Sequence, residues 1–205
     1  MLQNENNYIS VNNFMSIPKI PYQIFVHLLE NKSNECEMLW KLLKYTDINC
    51  LEKDNLSFKE KYDLIWQGQT DEQNYRVFAK PLLTNSLSDA DEMIQLRMFR
   101  NIMTPNTKID ATISFEIDIL TNDKTACVKY EDCLVERTDL IEALLLTLLN
   151  GKDLGIGYTT LMFNREIDRS SKSLLNISNT KSLYGRSLTL VMKHMESDLG
   201  GGCSW

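Results

Sequence analysis

Histidine is almost missing from this chain. Two occur in 205 residues, His27 and His194, and they form neither an H-x-x-x-H nor an H-E-x-x-H spacing. A catalytic zinc site built on histidine is therefore not expected, and each histidine reads as structural or exposed. Glycine and proline are also sparse, at eight and four. No G-x-x-x-x-G-K-[ST] and no G-x-S-x-G occurs. Gly155-Ile-Gly157 lacks a third glycine and runs into a predicted strand, so it reads as a turn. The five cysteines (Cys36, Cys50, Cys127, Cys133, Cys203) are odd in number and contain no C-x-x-C pair. They read as reduced thiols of a chain made in a cytoplasm, with a Cys127–Cys133 disulfide as the alternative. Long apolar runs are missing too. The longest, Ala143–Leu146, falls far short of the ~20 residues of a membrane helix. Met1–Ser10 is polar, so no secretory leader and no membrane partner are expected. Positive charge is in deficit: 22 Lys and Arg against 28 Asp and Glu give a formal charge of -6. That argues against a protein that binds nucleic acid by neutralising phosphates, though not against one that lets DNA pass without sticking.

The first part of the chain reads as helical. Met1–Ser16 is polar and asparagine-rich, and is expected to be a flexible arm. Pro18 and Pro21 bracket a helix start, with Pro21 in the first turn and Tyr22, Phe25, Val26 and Leu29 as the stripe. A second helix follows Ser33 or Asn34 as cap, with Glu35 and Glu37 at its positive end. Met38, Leu39, Leu42 and Leu43 form its apolar stripe, beside Trp40 and Tyr45. Ser57 and Glu60 have capping-box spacing and open a third helix with Tyr62, Ile65 and Trp66 inside and Gly68 as its stop.

After Tyr75 the periodicity changes. Ile94, Leu96 and Met98 alternate with Gln95, Arg97 and Phe99 in a first strand ending near Met103. In Ala111–Ile119 every odd position is apolar and every even one polar, which is a strand with one buried face. Thr104-Pro-Asn-Thr between them predicts a hairpin. Thr138 is the expected cap of a helix through Asn150, stopped by Gly151. Leu140, Ile141, Leu144, Leu145, Leu148 and Leu149 give it a face broad enough to lie across a sheet. Tyr158–Phe163 and Arg186–His194 read as two more strands. The result is an α+β fold: a small antiparallel sheet in β-β-α-β-β order with a packed helix, preceded by a helical region. The expected divisions are an arm (1–16), the helical region (17–75), the α+β domain (76–196) with a long loop at 164–185, and a tail (197–205). That serine- and asparagine-rich loop is long for a connection between neighbouring strands, and such loops usually have a task.

Candidate chemistry is thin. Glu116 and Asp118 share the polar face of one strand and could hold a divalent cation or act as acid and base. The plainer reading is a solvated or subunit-facing surface, with Arg97 and Arg100 on the neighbouring strand as partners that would set register. Trp205 ends a glycine-rich tail with no local core, so it is either disordered or an anchor in a neighbour's pocket. No catalytic residue, cofactor or required metal is expected.

Two stretches carry a resemblance. Met38-Leu-Trp-Lys-Leu-Leu-Lys-Tyr45 and Asn55–Gly68 resemble the helical N-terminal part of neck proteins of tailed bacteriophages. Gln95–Arg100, Ile113–Asn122, the Asp139–Asn150 helix, Gly155–Phe163 and Tyr184–Met192 resemble the tail-terminator and head–tail joining family. The resemblance implies a structural virion protein without an active site. Such a protein would be a homo-oligomeric ring subunit, usually six-fold, made in the host cytoplasm and located in the virion neck. Its implied partners are neighbouring neck, portal-adaptor or tail-tube proteins, with DNA passing through the lumen. The expected subunit interface draws on Arg97, Arg100, Glu116, Asp118, Trp205 and the loop residues Ser170, Ser171, Lys172 and Ser173. The rival readings are a phage-encoded metal-dependent nuclease using Glu116 and Asp118, and a phage-encoded binder of a host protein.

Overall fold

The computed structural model describes residues 17–70, 72–81, 93–105, 110–153, 161–163 and 183–195. A 3-10 turn (Ile17–Lys19) leads into α1 (Ile20–Glu30), with Pro21 in its first turn, where the missing N–H costs no hydrogen bond. Its buried face is Ile20, Ile24, Phe25, Leu28 and Leu29, while Tyr22 is exposed. Phe25 and Leu29 are inside as expected, but the stripe is rotated by about a quarter turn, away from Tyr22 and Val26 and toward Ile20, Ile24 and Leu28. Ser33 caps α2 (Asn34–Lys44) by accepting from the Cys36 N–H. Ser57 and Glu60 form the full capping box of α3, but that helix ends at Tyr62 (Phe58–Tyr62). Gly68, six residues on, is in the left-handed region at φ +100 and turns the chain rather than ending the helix.

Among the described residues the sheet is five-stranded and mixed. Its order is β1 (Val77–Phe78), β2 (Ile94–Pro105), β3 (Asp110–Asn122), β7 (Leu183–Met195) and β6 (Met162–Phe163). The β2–β3 hairpin, β3–β7 and β6–β7 are antiparallel as expected, but β1 joins β2 in parallel, so the sheet is not purely antiparallel. A separate hairpin, β4 (Cys127–Tyr130) with β5 (Cys133–Glu136), lies between β3 and α4 (Arg137–Leu149) and was not expected. In it Cys127 faces Glu136 and Cys133 faces Tyr130, on ladder positions of opposite parity. The two thiols are exposed, free and on opposite faces, so the Cys127–Cys133 disulfide reading gives way.

The helix α4 begins one residue before Thr138, with Glu136 at the cap position and no side-chain cap, so the expected threonine cap is not formed. Gly151, at φ +70, follows its C-terminus as expected. Ile141, Leu144, Leu145, Leu148 and Leu149 are buried. The helix packs on β3 and β7 on one side and α2 on the other, which is why its apolar face is so broad. Arg186 on β7 reinforces this seam through ion pairs with Asp139, with Glu142 at 3.1 Å and with Glu136 at 3.8 Å. Ile113, Phe115 and Ile117 of β3, Leu144, Leu145 and Leu148 of α4, and Leu188 and Leu190 of β7 belong to one buried cluster. That cluster runs from Ile17 to Met192 and passes across the expected boundary at residue 75.

Candidate interaction surfaces

Register places the second face of the sheet in transverse rows. Cross-strand partners share a face, so each row can be read from the pairing. Arg97, Asp118 and Ser187 form one row, and Phe99, Glu116 and Thr189 the next. A bulge between Arg100 and Ile102 then shifts β2 by one residue. Beyond it, Ile102, Ser114, Val191 and Met162 line up across four strands. Ile102 and Met162 are 56% and 58% exposed.

In the first two rows the polar groups are gathered tightly. The Ser187 Oγ lies 2.7 Å from Glu116 Oε1 and 2.8 Å from Asp118 Oδ1. A hydroxyl has one hydrogen, so it can donate to one carboxylate only. The second contact becomes a hydrogen bond when a carboxyl carries a proton. Asp118 is the more buried of the two carboxyls. Burial pushes its carboxyl above the ordinary range and Glu116 pushes it further, against the opposing pull of the Ser187 hydrogen bond and of Arg97.

The consequence for stability has a definite sign. A carboxyl raised on folding stabilises the fold below its unfolded pKa, and this contribution is lost as pH rises through the folded value. Asp118→Asn should therefore gain on the wild type as pH rises from about 4, the unfolded carboxyl value. Urea midpoints of both proteins from about pH 3 to about pH 8 test this, and a constant gap between the two curves would refute it.

Arg97 is fully buried. Its Nε donates to Gln95 Oε1 at 2.9 Å and its Nη1 to the Pro81 carbonyl at 3.2 Å. Its Nη2 faces Glu72 Oε2 at 3.5 Å, and the guanidinium lies 4.1 Å from the Phe78 ring centroid. Lys80 pairs with the same Glu72 and sits 3.9 Å over Trp66. Residues 72–81 thus cover this end of the sheet, and the expected subunit-facing role of Arg97 is replaced by an internal one. Arg100 is exposed but lies opposite Phe115, on the other face from Glu116 and Asp118. It cannot be their partner. Ser170, Ser171, Lys172, Ser173 and Trp205 lie outside the described residues, as do both expected chain-end segments and most of the 164–185 loop.

Two features were missed by sequence reasoning. The first is Arg137, which is fully buried and joins the helical region to α4 through backbone carbonyls. A cation in the first turn of a helix opposes the helix dipole, and that misfit was the available signal. The second is an open pocket of about 540 Å³ beside α3. Its lining includes Leu29, Leu56, Phe58 and a buried Lys61–Glu37 ion pair. Among the described residues, no group of three or more His, Cys, Asp or Glu side chains is placed to hold a metal ion. Among the same residues, no helix is long and apolar enough to cross a membrane.

The family model of YomW matches residues 37–192 of the 205. The chain belongs to the YomW family. The name is that of a protein family of the SPβ prophage, so this YomW-family chain is phage-associated. The matched segment starts in α2 and ends in β7, so it takes in both the Arg137 joint and the open sheet face. No curated protein and no solved structure matches the YomW-family chain.

Proposed function

We propose that this protein is a structural virion protein of a tailed phage, a ring subunit of the neck that joins capsid to tail as a tail terminator or head–tail joining protein. The observation that carries this reading is the unequal treatment of the two sheet faces. One is sealed by α4. The other ends in the row Ile102, Ser114, Val191 and Met162, with Ile102 and Met162 more than half exposed. Two large exposed apolar side chains on one face of a sheet, at its β2 and β6 strands, suit a protein contact better than a solvated surface. The phage association of the family agrees with this, as does the resemblance carried by the α2–α3 segment and the β2–β3–α4–β7 unit. Neighbouring neck, portal-adaptor or tail-tube proteins would be the partners, and the acidic chain would let DNA pass through the lumen.

On this reading the protein has no catalytic role. Glu116 and Asp118 serve Ser187 and the sheet, and Glu116→Gln with Asp118→Asn should remove no hydrolytic activity. Sedimentation velocity on the purified chain tests the assembly directly. A closed ring sediments as a multiple of 23.7 kDa, six-fold if it follows the usual ring of the tail-terminator family that the chain resembles. A strictly monomeric chain, absent from purified particles in electron micrographs, would overturn the reading.

A further inference from the structure

We propose that the pocket beside α3 receives the tail that follows β7 in a second copy of this chain, with Trp205 as the side chain that enters. The pocket has three chemical demands. Its walls are apolar at Leu29 and Leu56, and Phe58 stands at 59% exposure in its lining. It carries two ammonium groups, an exposed Lys32 and a Lys61 whose side chain is only 5% exposed. It also holds an unmet acceptor: Glu37 gives Oε1 to Lys61, while its buried Oε2 has no hydrogen-bond partner. A buried carboxylate oxygen without a donor carries an uncompensated desolvation cost. The terminal torsion of a glutamate is soft, so a modest rotation would turn that oxygen toward an incoming donor.

An indole meets all three demands together. It is a large apolar ring, its face attracts ammonium groups, and its N–H is a donor with no acceptor character. The chain treats its described tryptophans in this way. Trp40 Nε1 donates to the Leu28 carbonyl at 3.0 Å and Trp66 Nε1 to the Gln69 carbonyl at 2.8 Å, with Lys80 over the Trp66 ring. Trp205 is the third tryptophan of the chain. It follows Gly200-Gly-Gly in the sequence.

Topology selects a second copy over the same chain. The segment after α3 bridges Ile65 to Val77, and Val77 pairs with Leu96 at the start of β2. Met195 pairs with Asp110, beyond the Ala111 that pairs with Pro105 at the far end of β2. Leu96 and Pro105 are separated by about 30 Å of strand. The ten residues after Met195 reach at most ~36 Å, so a route back along that length of strand would need them almost fully extended. Tail of one copy into pocket of the next is a head-to-tail contact, which closes into a ring or extends into an open chain. The inference thus names one contact for the proposed ring and depends on that reading only for closure.

The test uses the full chain. A labelled peptide of residues 197–205 should bind the Trp205→Ala chain, and Phe58→Arg added to it should weaken binding by about tenfold or more. Lys32→Glu, at another exposed position, is the second pocket variant if Phe58→Arg misfolds by circular dichroism. Separately, the Trp205→Ala chain keeps a pocket and the Phe58→Arg chain keeps a tail. Each alone should be monomeric, and mixing them should give one-to-one pairs in sedimentation velocity. No peptide binding, or binding indifferent to both pocket variants, overturns the proposal. Peptide binding without pairing of the mixed variants means that each chain fills its own pocket, and overturns the second-copy assignment. Open multimers of the wild type with pairing intact would sink the ring and leave this contact standing.

Discussion

Arg137→Met should cost about 3–5 kcal/mol, a third or more of the stability of a typical domain. The reason is the completeness of its bonding. Its Nε donates to the Thr125 carbonyl at 2.7 Å, Nη1 to Leu42 at 2.8 Å and Tyr45 at 2.9 Å, and Nη2 to Asp47 at 3.1 Å and Thr46 at 3.2 Å. A guanidinium has five N–H groups, and each has found a carbonyl. Among the described residues, no carboxylate pairs with it. The compensation comes from oriented carbonyl dipoles, several at the C-terminal end of α2, where the helix dipole is negative. Leu42 belongs to the last turn of α2, whose carbonyls have no partner within the helix. Methionine has similar bulk but no donor. It would leave up to five carbonyls to find water or remain unpaired, at about 1–3 kcal/mol for each that stays buried. Arg137→Lys should also be destabilising, since an ammonium has three donors and no planar fork. Urea midpoints order the three proteins as wild type, lysine, methionine. A lysine variant as stable as the wild type would show that charge, not the fork, is what the site requires.

The sites of success and failure in the sequence reading have physical causes. Ala111–Ile119 was legible because α4 buries one face of β3 and alternation survives intact. The same logic on Ile94–Phe99 found the strand but misjudged Arg97 and Gln95, because residues 72–81 bury the second face there as well. No pattern within a strand reports what a distant segment lays over it. The β4–β5 hairpin was missed because its turn carries Glu131 at φ 54, where glycine or asparagine would normally announce such a turn. Glu116 and Asp118 were legible as a pair. The Ser187 hydroxyl that draws them together was not, since cross-strand register links residues some seventy positions apart. Arg137 belongs to the same class: its partners sit up to 95 positions away.

Phe115→Ala should cost about 3–5 kcal/mol and should melt the helical region together with the sheet. Phe115 is fully buried on the central strand β3, between Arg100 of β2 and Leu190 of β7 in the ladder. It shares the buried cluster with Leu144, Leu145 and Leu148 of α4. Removing its ring deletes transfer free energy and leaves a cavity, because a five-stranded sheet pinned on both sides of β3 cannot collapse inward. Phe58→Ala is the matching control, since that ring is 59% exposed and its loss should move the midpoint little. The shape of the transition carries further information. Trp40 lies in α2, with its N–H fixed to the Leu28 carbonyl, and its fluorescence follows the helical region. If residues 17–75 were a domain apart, that signal would keep its wild-type midpoint in Phe115→Ala while far-ultraviolet circular dichroism shifted. One buried cluster from Ile17 to Met192, with Arg137 bonded across the expected boundary, requires both signals to shift together. Divergent midpoints would mean that the helical region folds without the sheet, and that the Arg137 joint is an attachment between two units.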